Sequence, residues 1–378
     1  MPLACAIGLV AVKHASVVAG EPAPADWVRR GGATGFAVGA AERPFVPWGF
    51  NYDHDRDGRL LEDYWHDEWP TVVEDFREMR ALGANVVRIH LQVGRFLKGP
   101  QEVDERNLAR LKELVRLAEQ ERLYLDLTGL GCYHKADVPS WYDMLDETGR
   151  WEAQARFWEA IARVGATSPA IFCYDLMNEP VSPAGPGRAG QWLGPPFGDK
   201  HFVQYISLEP RGRARPAIAR EWIARLSRSI RQVDAHHLIT VGLVDWSLDR
   251  PGLTSGFVPQ QIADQLDFLC VHLYPRTGRL TEDLETLAGF AAVGKPVVIE
   301  ETFPLQCSAD EFREFLRASR RQATGWIGFY WGQTVEELTA RQRELQQPPA
   351  GADRFREAVG VSLQLQWLTT FRRDRPDP

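Results

Sequence analysis

The stretch YDLMNEP (174–180) ends an apolar, strand-like run in Asn178, Glu179 and Pro180, and KPVVIEE (295–301) ends another in Glu300 and Glu301. A proline cannot donate a ladder hydrogen bond, so the first run stops where its carboxylate begins. Other runs carry polar groups of complementary type: Arg88 and His90 in NVVRIHL (85–91), His272 and Tyr274 in VHLYP (271–275), and Trp331 in FYWG (329–332). Two carboxylates on separate segments, among Arg, Asn, His, Tyr and Trp, match the needs of glycosidic bond cleavage. One carboxyl protonates the leaving oxygen, and the other attacks the sugar carbon or activates a water. A spacing of two puts Arg88 with His90, and His272 with Tyr274, on single strand faces. A guanidinium beside a carboxylate keeps it ionised for attack, whereas a carboxylic acid in a poorly solvated, negatively charged setting keeps its proton. Taken singly, each residue has a plain alternative: Arg88 as a barrel-end ion pair, His272 as a core histidine, Trp331 as packing.

The elements that must position these groups are eight short apolar runs: 44–50, 85–91, 123–129, 170–179, 237–244, 266–274, 295–301 and 325–332. Helical patterns separate them. Leu108, Leu111, Leu114, Val115 and Leu117 form an i, i+3, i+4 stripe within 104–121, and Ile218, Trp222, Ile223, Leu226 and Ile230 form another. Further helices are expected over 151–164, 281–291, 308–322 and 352–369, with a short one over 257–265. Thr71 with Glu74, and Ser308 with Glu311, fit the capping-box spacing. Eight strands alternating with helices predict a (β/α)8 barrel, an α/β fold whose active site gathers at the C-terminal strand ends. The connections 130–149 and 181–215 are longer than usual for such a fold. They carry Tyr133, His134, Trp141 and Tyr142, and Trp192, Phe197, Phe202 and Tyr205, and would build a cleft or lid.

LMNEP, NVVRIH, VHLYP, KPVVIEE and FYWG, in their chain positions, resemble the clan A glycoside hydrolases, and most closely family 5, the cellulase and mannanase group, over roughly residues 44 to 335. The resemblance implies that Glu179 is the general acid/base, that Asn178 holds the sugar 2-hydroxyl and that the strand-seven glutamate is the nucleophile. It further implies that Arg88 and Tyr274 hydrogen-bond the nucleophile, that His272 joins the acid/base network and that Trp331 floors the sugar ring. The sequence departs from the family at the third strand, where Thr128 replaces a common His, and after Glu301, where Thr302 and Phe303 follow. Strand alternation allows only one of Glu300 and Glu301 to face the cleft if the strand is regular. Glu301 is the choice, with Glu300 expected to face the surrounding helices or loops. The expected activity is that of a retaining β-glycosidase on a β-linked gluco- or manno-configured chain, with no cofactor and no metal. Exo action with the 181–215 loop blocking the cleft, and a carbohydrate-binding barrel without hydrolysis, are the alternatives.

Composition narrows the partners. Of 378 residues, 44 are Lys or Arg and 51 are Asp or Glu, so the net charge of −7 offers no basic field for nucleic acid. Five cysteines lack metal-ligand spacing. Cys173 and Cys270 read as small core hydrophobes, while Cys132 and Cys307 are open to pairing. Residues 1–24 resemble a secretory leader, which predicts a secreted or periplasmic protein, and their apolar run is too short for a membrane span. The single catalytic domain is then expected over 25–372. DHDRDG (53–58) opens like a calcium loop but would place Tyr64 at the last ligand position, so an acidic solvated loop is expected. Asp53, His54, Trp65 and Trp69 are candidates to line a substrate subsite instead, as are Asp245 and Trp246 after the fifth run.

Overall fold

The computed structural model describes residues 26–182, 190–250, 253–347 and 351–376. The leader-like segment 1–24 lies outside the described residues. Each of the eight apolar runs forms a parallel strand: β1 (Trp48–Tyr52), β2 (Val86–Gln92), β3 (Tyr124–Gly131), β4 (Ile171–Asn178), β5 (Leu238–Gly242), β6 (Leu269–His272), β7 (Val297–Thr302) and β8 (Gly325–Gly328). They pair in the order β5-β4-β3-β2-β1-β8-β7-β6. The ring closes between β5 and β6, where Asp267 N–H donates to Ile239 O at 2.9 Å and His272 N–H to Leu243 O at 2.7 Å. The fold is thus the expected (β/α)8 barrel.

Alternation sorts side chains between two cores. Along β1, Trp48, Phe50 and Tyr52 face outward into the layer between sheet and helices, which leaves Gly49 and Asn51 facing the barrel axis. The apolar stripes of Glu105–Glu121 and Arg215–Arg231 bury their leucines and isoleucines in that outer layer. The helix Ala352–Arg373 covers the β8–β1 seam, with Phe371 4.0 Å from Phe50 between ring centroids. Gly328 is needed there, because a Cβ would lie 1.8 Å from the Trp367 ring.

Inside, the lower half of the barrel is apolar. Three antiparallel strands, Val28–Gly31, Gly35–Val38 and Arg43–Phe45, which no periodicity announced, plug its base. Phe36 and Phe45 from this plug pack with Phe172, Phe268, Cys173 and Cys270. Cys132 and Cys307 are both free thiols, so they do not pair.

Two local expectations are corrected. Ser308 and Glu311 form their capping box, but Thr71 lies inside a helix, Trp69–Ala81, whose N-cap is Glu68. Pro70 in the first turn sets the earlier start, because its fixed φ suits that position and its missing N–H costs nothing there. Trp65 is wholly buried in the outer core, so it lines no subsite, while Trp69 is half-buried and stacks under Arg110. In the 53–58 loop, Asp55 accepts from the backbone N–H groups of Asp57 and Arg59 and from the Arg59 side chain.

Candidate active site

Arg88, on the inward face of β2, organises the mouth of the barrel. Its Nη1 donates to Glu301 Oε1 at 2.6 Å and to Asn51 Oδ1 at 2.9 Å, and its Nη2 donates to Asp175 Oδ2 at 2.8 Å and to Asn178 Oδ1 at 3.0 Å. Burial works against its charge, but Glu300, Asp175 and Glu301 outweigh burial and hold the guanidinium protonated. Tyr274 donates to the other oxygen of Glu301 at 2.7 Å. His272 bridges Glu179 Oε1 at 3.0 Å and Glu300 Oε2 at 3.4 Å. One carboxylate oxygen of Glu179, one of Glu301 and a ring nitrogen of His272 all lie within 4.8 Å of one another.

Two pairs of adjacent residues reach this mouth, and strict alternation would forbid both. At Asn178–Glu179 the backbone turns into the left-handed region, with φ 47° at Glu179, where its N–H donates to Gly242 O at 3.0 Å. That conformation is uncommon for a residue with a side chain and is held here by its neighbours. At Glu300–Glu301 the ladder slips: Val271 pairs with Ile299 but His272 with Glu301, and Ile299 pairs with Trp326 but Thr302 with Gly328. One extra residue on β7 is a β-bulge, which re-aims a side chain. Glu300 therefore does not turn to the helices. It is fully buried inside the barrel, in a tight group with Asp126 and Asp175.

This group forms a charged layer under the mouth. Burial pushes the Glu300 carboxyl up, but Arg88 and His272 outweigh it and hold it down at about 2. Asp126 moves the other way, raised well above the usual carboxylate range by burial and by Glu300. Asp175 is raised to about 6 by burial and Glu300 against the pull of Arg88. Three carboxyls facing one guanidinium cannot all ionise, and Asp126 is the one that keeps its proton. Gly242 makes the layer possible, since a Cβ would stand 3.0 Å from Arg88 Nη2 and 3.1 Å from both Asp175 and Glu300. Thr128 donates to Asp175 at 2.8 Å.

The remaining expected residues divide. His90 lies between Asn51 Oδ1 at 3.0 Å and the Tyr133 hydroxyl at 2.5 Å. Burial first, and Arg88 next, lower it to about 3, so it is neutral. Trp246, on a short turn after β5, is half-buried at the rim beside Asp245. Trp331 is corrected: it is fully buried and packs behind Phe50, with 5.4 Å between centroids, on the outer side of the barrel. A half-buried aromatic at the mouth on that side is Phe329, whose ring lies 6.4 Å from Tyr274 and 6.3 Å from Phe202. Sequence reasoning also passed over Asn51, Asp126 and Asp175. A lone Asp inside an otherwise apolar run, as in LYLDLTG and CYDLMNE, was the available signal, because such a residue is rarely buried without a partner.

His272 carries a pH dependence. Burial pulls it down, but Glu301, Glu179 and Glu300 outweigh burial and raise it to about 10. The fold therefore holds a proton that the unfolded chain releases above about pH 6.5. Its contribution to stability is complete below that pH and is lost as pH climbs toward about 10. Urea midpoints should fall over this window, and fall less steeply in His272→Gln. Parallel slopes in the two proteins would show that the dependence arises elsewhere.

Comparison with known proteins adds to this geometry. The family described as Cellulase (glycosyl hydrolase family 5) matches residues 43–334. Mannan endo-1,4-beta-mannosidase A of Emericella nidulans is 24% identical over 253 residues, covering 60% of this chain and 58% of that protein, so the chain spans less than two thirds of this curated relative. Among solved structures, the exo-beta-1,4-mannosidase Op5Man5 from Opitutaceae bacterium strain TAV5 superposes with a TM-score of 0.62 at 19% identity, over 91% of this chain and 61% of that one. The endo-1,4-beta-mannanase from Rhizomucor miehei superposes with a TM-score of 0.56 at 18% identity, over 81% of this chain and 90% of that one. At these identities the structural likeness speaks for the fold.

Proposed function

Because this chain belongs to glycosyl hydrolase family 5, we propose that it is a retaining β-glycosidase acting on a β-linked manno- or gluco-configured chain, with mannan favoured by the names of its relatives. Glu179 is the general acid/base. Its side chain is the more open of the two carboxylates, at 18% exposure against 7% for Glu301, and so stands where a leaving group departs. Glu301 is the nucleophile. Burial pushes its carboxyl up against the pull of His272 and Arg88, and the donors Arg88 and Tyr274 occupy one oxygen each of the ionised form.

Glu179 protonates the glycosidic oxygen as Glu301 attacks the anomeric carbon, which releases the leaving sugar and leaves a glycosyl ester on Glu301. A water that gives its proton to Glu179 then attacks the same carbon and frees Glu301. Asn178, fixed by Arg88, takes the 2-hydroxyl. The barrel and its covering helices support one catalytic domain over 25–372, and an extracellular polysaccharide would suit the leader-like residues 1–24. Among the described residues no helix is long and apolar enough to cross a membrane.

The observation that carries the reading is the approach of Glu179 and Glu301 to within 4.8 Å, oxygen to oxygen. Carboxyls about 5–5.5 Å apart leave no room for a water opposite the leaving group, whereas inverting pairs stand about 6.5–9.5 Å apart. The first-formed sugar, read by NMR before mutarotation, should keep the β configuration. An α product would end the double-displacement reading. A reducing-sugar assay on a panel of mannans and glucans decides against the non-hydrolytic carbohydrate-binding alternative, which predicts no release.

A further inference from the structure

The cleft has a wall at one end. The segment 190–205 folds back on itself as a hairpin, with Gly194 N–H donating to Val203 O at 2.8 Å and Phe197 paired to Lys200 at its tip. It crosses the mouth from β4 toward the loop after β1. His201 N–H donates to Tyr133 O at 2.9 Å, and the Phe202 carbonyl accepts from Asn178 at 3.2 Å. At the far side the Lys200 ammonium closes over Gly58, where an added Cβ would lie 3.3 Å from it, and Lys200 is only 5% exposed.

Beneath this wall is an unused acceptor. Asp53 follows Gly49 and Asn51 on the inward side of the first strand and is 2% exposed. Its Oδ2 meets His54 Nδ1 at 2.7 Å, but its Oδ1 has no hydrogen-bond partner among the described residues and lies 3.9 Å from His90. Leaving a buried carboxylate oxygen unpartnered is costly, so a ligand hydroxyl at this point would be bound strongly.

The order of groups around the mouth says which hydroxyl that is. Asn178 ends β4, Tyr133 follows β3, His90 lies on β2 and Asp53 follows β1. A pyranose with C1 between Glu179 and Glu301 and its 2-hydroxyl on Asn178 runs in the same sense. Its 3-hydroxyl then meets Tyr133 and His90, and its 4-hydroxyl meets Asp53. In a 1,4-linked chain, O4 of any internal sugar is a glycosidic oxygen with no hydrogen to donate. Such a residue would leave Asp53 unsatisfied and drive the next sugar into the hairpin.

We infer that this protein is exo-acting: Asp53, under the Lys200 hairpin, accepts a hydrogen bond from the free 4-hydroxyl of the terminal, non-reducing sugar, and one sugar is released per cleavage. The inference rests on the glycosidase reading above and deepens it. The leaving chain exits on the opposite side, past Glu179 and the half-buried Asp245 and Trp246.

β-1,4-Mannotetraose carrying a fluorophore at its reducing end tests the mode of action, with labelled cellotetraose in parallel because the 4-hydroxyl is equatorial in both sugars. The first labelled product should be the triose, with free monosaccharide. Labelled biose or labelled monosaccharide in the first few per cent of reaction would overturn the inference while leaving the glycosidase reading intact. Cleavage of neither oligosaccharide would overturn both. For Asp53, 4-nitrophenyl β-mannoside is compared with its 4-deoxy analogue. The native protein should prefer the parent by roughly 10- to 100-fold in kcat/KM, the span of a hydrogen bond to a charged group. In Asp53→Ala that preference should collapse to about threefold or less, and in the shape-preserving Asp53→Asn it should fall clearly below the native value. A preference that survives both substitutions would remove Asp53 from the role.

Discussion

Glu301→Ala is expected to lower turnover by at least about 10⁴-fold, because removing the nucleophile deletes the covalent route rather than weakening one contact. The neighbouring Glu300→Ala should behave differently. Glu300 lies inside the barrel beside Arg88 at 3.5 Å and His272 at 3.4 Å, so its loss unbalances two buried cations. Breaking a buried pair of this kind costs about 3–5 kcal/mol, and Asp126, by giving up its proton, can offset part of that cost. Urea midpoints should therefore drop in Glu300→Ala far more than in Glu301→Ala. Azide separates the two chemically. In the space left by a missing nucleophile it attacks an activated β-glycoside directly and gives an α-glycosyl azide. That product from Glu300→Ala, with none from Glu301→Ala, would transfer the nucleophile to Glu300.

Glu179→Ala should lower turnover by about 10²- to 10⁴-fold on substrates whose leaving group needs a proton, the usual range for a lost general acid. With a dinitrophenyl leaving group, which needs no proton, the first step should proceed at nearly its native rate. The glycosyl ester then accumulates, because no base remains to activate water, and pre-steady-state kinetics should give a burst followed by slow release. Azide added here attacks the ester from the face that Glu179 once served and yields a β-glycosyl azide. The opposite configurations expected from the two variants assign the two carboxylates independently. Uniform loss across all leaving groups, without a burst, would exclude Glu179 as the acid/base.

The barrel was legible in the sequence because burial and period agree. Each strand is a short apolar run, and the long helices carry stripes such as Leu108, Leu111 and Leu114. Arg88 and His90 were legible for the same reason, since a spacing of two on a regular strand fixes a shared face, whereas Tyr274 lies two residues past His272, beyond the end of β6, and comes to the mouth from the following loop. What misled was irregular backbone. The slip on β7 brings Glu300 inside beside Glu301, and only pairing with β6 and β8 shows it. Trp331 faces outward and leaves Phe329 at the mouth, a difference of phase that no count of aromatics reveals. Asp53 stood in view as a loop acid, but its unpartnered oxygen appears only once strand and hairpin are brought together.

The plug at the barrel base has a consequence for the order of assembly. Its strands are made early, yet Phe36 finds its partners in Phe172 and Phe268, on segments synthesised much later. Contacts so distant along the chain are slow to form, since a large loop must close before they give any return. During synthesis the Phe36 ring therefore lacks these partners until β4 and the start of β6 have emerged, whereas Phe45 meets Tyr124 of β3 earlier. The floor of the barrel is made before the walls that it closes, and is among the last parts of the barrel to be laid.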